Sequence, residues 1–360
     1  MSKRPARFDQ VIPTIVPHDA VSHHTFEVQR VLRSLGFRSD IYAIHPAAEV
    51  RHLVRPFDEL PDDPSERWLL YQASIGSEAV DGLLASKAPL VVNYHNITPA
   101  RYVERWMPAL GEEVRLGRRQ MAELAERTAL GIGVSAYNAR ELEAWGYART
   151  AVARLIIDRS NFETAPDGPA LNRLRAQRRG RDWLFVGQML PHKSHHDLVA
   201  AFAAYVAAYD AEARLHLVGR TPCEPYRLAV EKLIAELGLS AQVELTGPIP
   251  AGALAAYYEG CDVFVCCSDH EGLGAPLLEA MQRGLPVVAF EQAAVGETVG
   301  DGGVLLRGKE PALVAAAVER VLSDRELRRQ LVERGRKRAA CYTPGRARQE
   351  LVSAIEQLFE

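Results

Sequence analysis

"SDHEGLGAPLLEAMQRGLPVVAF", residues 268–290, decides how the rest of the chain is read. Glu271 and Glu279 flank a turn that contains Gly272 and Gly274, and Pro276 stands where a helix begins. Proline suits the first helical turn, where its missing N–H costs no hydrogen bond. The apolar run "CDVFVCCS" (261–268) before the turn and "LPVVAF" (285–290) after the helix both read as strands. Residues 269–275 are therefore predicted to form a loop at a strand's carboxyl end that opens into a helix N-terminus. Unpaired amides and the helix dipole favour an anion there, such as a diphosphate. The two glycines let the backbone approach it closely. Carboxylates touching a diphosphate would repel it, so Glu271 and Glu279 read as acceptors for the vicinal hydroxyls of a ribose or a hexose. Glu279, in the first helical turn, also suits the dipole.

Outward from this stretch, short apolar runs alternate with helical periods. In the N-terminal half, "QVIPTIVP" (10–17), "SDIYAI" (39–44), "APLVVNYHNI" (88–97) and "LGIGVS" (130–135) read as strands. "SHHTFEVQRVLRSLG" (22–36), "EEVRLGRRQMAELAERT" (112–128) and "AYNARELEAWG" (136–146) read as helices, the first capped by Ser22 and stopped by Gly36. The rhythm breaks at 156–180, where "IIDRSNFETAPDGPA" has turn residues and no period, so the linker is placed there. It then restarts with "DWLFVGQM" (182–189) and runs to the helices that end the chain. The fold class is α/β, with two doubly wound parallel sheets in tandem. Such sheets bind ligands beyond the carboxyl ends of their strands, and two facing domains make a cleft. The expected domains are 1–160 and 161–343, with helix 344–360 packing back on the first.

The 360 residues suit two domains. A net charge of -3 argues against a nucleic-acid partner. Five cysteines without CxxC spacing indicate neither a zinc site nor a disulfide framework, and fit buried thiols in a reducing cytosol. The N-terminus lacks a signal-peptide core. The most apolar stretch, "LVAAFAAYVAAY" (198–209), is shorter than the roughly 20 residues a membrane span needs. These features lead to an expectation of a cytoplasmic protein, with peripheral contact at the inner membrane face left open. "VRLGRRQ" places Arg115, Arg118 and Arg119 on one helix, either a solvated basic face or a surface for an anionic membrane or lipid phosphate.

"EGLGAPLLEAMQRGLPVVA", with seven residues between Glu271 and Glu279, resembles the signature of the retaining nucleotide-sugar glycosyltransferases of family four, which have the GT-B fold. The resemblance implies that Glu279 binds ribose hydroxyls and that Glu271 contacts the donor sugar. It also implies that His270 and the segment Gly272, Leu273, Gly274, Ala275, Pro276, Leu277 and Leu278 wrap the phosphates and sugar. "LFVGQMLPHKSHHDLVAAF" (184–202) looks like the family's motif with an arginine and a lysine on the diphosphate. Lys193 matches the lysine, whereas Gln188 fills the arginine position and removes a cation. Arg220, in "LHLVGR", is placed to replace that charge, and Thr246, Gly247 and Ile249 match a loop near the base. "YTPGRARQELVSAIEQLF" (342–359) resembles the family's returning terminal helix.

Many family members have a Gly-Gly loop after the first strand; here the sequence is "PHDAVSHH" (17–24), which resembles a subgroup of bacterial cell-surface glycan enzymes. On that basis Asp19, Ser22, Asn96 and Ser135 are candidates for the acceptor side, Ser22 also as a helix cap. His18, His23 and His24 read as solvated. His95, at the end of a buried strand, resembles the family's donor-sugar histidine and joins Lys193 and Glu271 as a catalytic candidate. The implied reaction is transfer of a hexose from a nucleoside diphosphate sugar, UDP- or GDP-linked, to a sugar or lipid-linked acceptor. No other cofactor and no metal are implied. A sugar-nucleotide epimerase, a phosphorylase and a non-catalytic nucleotide-sugar binder stay open as alternatives on the same fold.

Overall fold

The computed structural model describes residues 5–17, 19–61, 63, 67–158 and 160–359. The chain forms two compact units, Met1–Asp158 with Thr343–Glu360, and Arg159–Tyr342.

The first unit opens with β1 (Arg7–Ile15), α1 (Ala20–Ser34), β2 (Ile41–Pro46) and the short β3 (Arg55–Pro56). β4 (Arg67–Ala73), α2 (Ala79–Ala85), β5 (Leu90–Tyr94) and α3 (Pro108–Leu124) follow, then β6 (Thr128–Gly133), α4 (Ala136–Ala144) and β7 (Thr150–Val152). All strand pairs are parallel, in the order β3-β2-β1-β4-β5-β6-β7. β4 is central and its seven residues are all buried, yet the rhythm read from the sequence passes over "RWLLYQA". A strand covered on both faces is one apolar run with no alternation to mark it. Leu70, Val91, Leu130 and Ile132 pack on one face with Val28 and Leu32 of α1; Tyr71, Val92 and Tyr94 pack on the other with Met121 and Leu124 of α3.

Helix α1 begins two residues before Ser22. Its cap is Asp19, whose carboxylate accepts from Ser22 N at 2.8 Å. The expected cap is thus corrected by one turn. The stop at Gly36 holds, with φ 89° just past the helix. His24 is 1% exposed, not solvated, because it lies on the inward face of α1. His18 lies outside the described residues.

The second unit is not entered through a featureless linker. α5 (Ser160–Glu163) and α6 (Gly168–Gln177) occupy that stretch, α6 capped by Asp167, which accepts from Ala170 N at 2.7 Å. Next come β8 (Asp182–Val186), α7 (His195–Ala208), β9 (Arg214–Val218), α8 (Glu224–Glu236), β10 (Val243–Gly247) and α9 (Ala251–Gly260). β11 (Val263–Cys266), α10 (Ala275–Gln282), β12 (Val287–Phe290), α11 (Val295–Val299), β13 (Val304–Leu306), α12 (Pro311–Ser323) and α13 (Arg325–Ala340) complete it. The sheet is parallel, in the order β10-β9-β8-β11-β12-β13.

The last helix, α14 (Pro344–Glu356), belongs to the first unit. Leu351 and Ile355 are fully buried in that unit's core, and Arg348 Nη2 reaches Glu27 Oε2 at 2.5 Å.

In each sheet the strand order turns back between the first strand of the unit and a later neighbour: β1 beside β4, and β8 beside β11. Ligands bind at such switch points, beyond the carboxyl ends. Lys193 lies in the loop after β8 and Glu271 in the loop after β11.

Candidate active site

In the second unit the strands explain the placement of each candidate. The loop after β8 makes a single 3-10 turn (Pro191–Lys193) that delivers Lys193 beside the loop after β11. Lys193 Nζ lies 2.7 Å from Glu271 Oε2, both side chains mostly shielded. The loop carrying Glu271 is tied down from behind: Thr298 Oγ1 donates to Leu273 O at 2.5 Å, and Ala294 N to Glu271 O at 3.2 Å.

Gly274 caps α10 in the left-handed region, φ 75°, and an added Cβ would lie 2.8 Å from Leu277 Cδ1. The amides of Gly272, Leu273, Gly274 and Ala275 make no hydrogen bond to the protein among the described residues. Pro276 has no N–H, and Leu277 N donates to Gly274 O at 2.9 Å. The amide cradle expected over 272–278 therefore narrows to four residues, 272–275, at the entrance of the helix. The side chains of Leu277 and Leu278 are core, 1% and 0% exposed.

Glu279, 7% exposed, lies one turn into α10 and not in the first turn expected from the sequence, because the helix starts at Ala275; Tyr258 OH donates to its Oε2 at 2.8 Å. Burial, then the nearby carboxylate charge, pushes the Tyr258 hydroxyl well above its usual range, so it stays a donor. A carboxylate only accepts hydrogen bonds, which is the chemistry a polyol hydroxyl requires of its partner. His270 is buried at 2% exposure.

The neighbouring strand ends form one rim. Gly187 N donates to Val218 O at 2.9 Å, Met189 N to Arg220 O at 2.8 Å, and Gly219 N to Gly247 O at 3.2 Å. Gly219 has φ 149°, and a Cβ there would sit 2.0 Å from Gly187 O, so only glycine fits. Gln188 and Arg220 are both exposed on this rim. Thr246 Oγ1 donates to Gly247 O at 2.8 Å, and Ile249 is half-buried beyond it.

In the first unit, His95 follows β5 and is held by a file of buried carboxamides. Gln10 Nε2 donates to Thr25 O at 3.1 Å, Gln72 Nε2 donates to Gln10 Oε1 at 2.7 Å, and His95 Nε2 lies 2.6 Å from Gln72 Oε1. A main-chain carbonyl can only accept, so each amide in the file has one orientation, and the histidine must carry its hydrogen on Nε2. Burial, then the neighbouring His24 ring, holds the His95 pKa well below its ordinary value, so the ring is neutral. Nδ1 has no hydrogen-bond partner among the described residues.

The other acceptor-side candidates are engaged within the fold. Ser22 and Ser135 are each 2% exposed. Ser22 Oγ donates to Asp19 Oδ2 at 3.0 Å and accepts from Val16 N at 3.0 Å. Ser135 caps α4 and donates to Asn138 Oδ1 at 2.8 Å. Asn96 sits at φ 61° and accepts from Asn138 Nδ2 at 2.8 Å. The basic face expected on α3 is largely neutralised: Arg118 donates to Glu141 at 2.8 Å and to Ile97 O at 2.9 Å, and lies 4.8 Å over the Trp145 ring. Arg115 pairs with Glu104 and Glu112, and Arg119 is exposed.

Residues 172–338 match the family described as glycosyl transferases group 1. The D-inositol 3-phosphate glycosyltransferase of Thermobispora bispora is 28% identical over 347 residues, 83% of this chain and 80% of that protein. Its counterpart from Geodermatophilus obscurus is 33% identical over 257 residues, 68% of this chain and 55% of that protein. Among solved structures, Anabaena HepE in complex with UDP superposes with a TM-score of 0.74 at 16% identity, covering 98% of this chain and 100% of that one. Residues 172–338 thus carry a group 1 glycosyltransferase domain of family-four type, and the chain has the GT-B fold. It is an enzyme that transfers a sugar from a nucleotide sugar.

Proposed function

We propose that the chain is a retaining, metal-independent hexosyltransferase that uses a UDP- or GDP-linked sugar. The arrangement that carries this reading is Lys193 against Glu271, with four unbonded amides and Glu279 on the next helix. The demanding step is departure of the diphosphate as negative charge grows on it. Lys193 and the amides of 272–275 stabilise that charge, with Arg220 as a second cation where Gln188 offers none. Glu279 accepts from ribose hydroxyls and Glu271 from the donor sugar. Neutral His95 presents Nδ1 as an acceptor for a sugar hydroxyl.

The acceptor hydroxyl approaches the face that the diphosphate leaves, and a phosphate oxygen takes its proton. No enzyme carboxylate need form a covalent intermediate, and configuration at the anomeric carbon is kept. The acceptor class we favour is a sugar or a phosphorylated polyol, free or lipid-linked, in cell-surface glycan synthesis. The name shared by the relatives supports the phosphorylated polyol. We place the reaction in the cytoplasm, at or near the inner membrane face; five cysteines with no disulfide fit a reducing compartment.

Incubation of the enzyme with UDP-, GDP-, ADP- and dTDP-sugars and D-inositol 3-phosphate or simple glycoside acceptors tests this. Acceptor-dependent release of one nucleoside diphosphate and an α-product from an α-linked donor is expected. A β-product would overturn the retaining assignment, and conversion of the donor without any acceptor would favour an epimerase.

A further inference from the structure

Behind Lys193 and Glu271 lies a second charged cluster. Lys309, three residues past the end of β13, places Nζ 2.5 Å from Asp197 Oδ2 and 2.7 Å from Asp269 Oδ1. It also donates to Ser194 Oγ at 3.3 Å and lies 5.2 Å from the Phe290 ring centroid. Ser194 Oγ donates to the other oxygen of Asp269 at 2.6 Å, and Asp269 N donates to His192 O at 2.8 Å.

These partners bracket the site. Ser194 directly follows Lys193, and Asp269 lies two residues before Glu271. Ser194 is in the left-handed region, φ 52° and ψ 45°, and its hydroxyl does not cap the helix it precedes. Such a conformation in a non-glycine residue persists where the surroundings over-determine it. The hydroxyl is turned to Asp269, across the gap between the two loops. Asp197, in the first turn of α7, is the second carboxylate on the ammonium. Burial alone would lower the Lys309 pKa, but its bonds to Asp197 and Asp269 outweigh that and raise it. Without the ammonium, two carboxylates would confront each other half-buried and uncompensated.

We infer that Lys309 is a positioning residue: by tying Asp269 to Ser194 and Asp197 it sets the spacing of the loops that bear Lys193 and Glu271, and so the affinity for the donor's diphosphate. The inference rests on the donor-site reading given above.

The test is calorimetry with UDP and GDP as probes, together with donor KM, kcat and Tm. It compares the wild type, Lys309→Met, Lys309→Arg and the double variant Lys309→Met/Asp269→Asn. Lys309→Met is expected to weaken the nucleotide that the wild type binds by about tenfold, with a matching rise in donor KM and kcat within about threefold. Lys309→Arg should restore most of the affinity, and the double variant part of it, because the excess negative charge is removed. If Lys309→Met does not fold, Asp269→Asn alone supplies the same readout and should show weaker binding. Unchanged nucleotide affinity in a folded Lys309→Met variant overturns the inference while leaving the donor site intact. So does a loss that neither Arg nor the double variant rescues. A wild type that binds no nucleoside diphosphate overturns the donor-site reading itself.

Discussion

Lys193 Nζ and Glu271 Oε2 are ion-paired at 2.7 Å, although the proposed reaction gives them different partners: a phosphate for the lysine and a sugar for the glutamate. A diphosphate must compete with Glu271 for the ammonium. Glu271→Gln removes that competitor. UDP or GDP alone should then bind as tightly as to the wild type, or a few-fold more tightly, while turnover falls by about 100-fold through loss of the sugar contact. Calorimetry and steady-state kinetics on the same preparation check this split. Parallel losses in both would show that Glu271 serves only to hold the loop.

Tyr258 OH orients Glu279 from within the core. Tyr258→Phe deletes one hydrogen bond to a carboxylate, worth about 1.5–3 kcal/mol. Donor KM should rise about three- to tenfold with kcat nearly unchanged, since a ribose contact is the same in ground and transition states. A KM unchanged from the wild type would separate Tyr258 from donor binding.

The carboxamide file from Thr25 O through Gln10 and Gln72 fixes the hydrogen of His95 on Nε2. Long-range proton–nitrogen NMR of histidine-labelled protein, with His95 assigned by a His95→Gln variant, should show a neutral Nε2–H ring from pH 6 to 8 (about 6.5 being the ordinary value). Gln72→Leu should convert it to a mixture of tautomers and lower turnover. A dominant Nδ1–H form in the wild type would contradict the file as drawn.

Histidine burial sets the acid limb of stability. Burial, then nearby positive charge, pushes His24 and His195 down to about 3, and His192 well below its ordinary value. An unfolded chain takes up these protons below about pH 6.5, whereas the folded one does not. Stability is therefore at its plateau above that pH and is lost as pH falls toward the folded values, by up to about 1.4 kcal/mol per unit for each histidine. His216 has the opposite sign. Burial disfavours its charge, but bonds to Asp182 and Glu244 outweigh that and raise its pKa. Its contribution is complete below about pH 6.5 and is lost as pH rises through the folded value. Urea titrations from pH 5 to 8 should show a steep acid loss in both units, and His216→Gln should flatten the alkaline side in the second unit only. A first unit that is pH-independent below 6 would contradict the assignment for His24.

The doubly wound class was legible because local signals dominate it: apolar runs, helical periods, and the turn at Gly272–Gly274. What the sequence hid depends on distance or on burial. β4 carries no alternation because both its faces are covered. α6 has a cap, Asp167, but its short apolar stripe was masked by proline, glycine and aspartate around it. Asp19 rather than Ser22 caps α1 because the serine hydroxyl is engaged by Val16 N. Arg118 reads as part of a basic stripe until Glu141, 23 positions away, is placed against it. Lys309 and Asp269 are 40 residues apart and join only because β11 and β13 flank β12 in one sheet. The left-handed Ser194 between them has no signature, since serine rarely adopts that conformation.

The most direct measurement is nucleoside diphosphate release from the preferred UDP- or GDP-sugar in the presence of acceptor, for the wild type, Lys193→Ala and Glu279→Ala. Removing the cation on the departing diphosphate should lower kcat/KM by about 10²–10³-fold. Glu279→Ala should act mainly through donor KM. Turnover in Lys193→Ala equal to that of the wild type would contradict the assignment of this site to the donor.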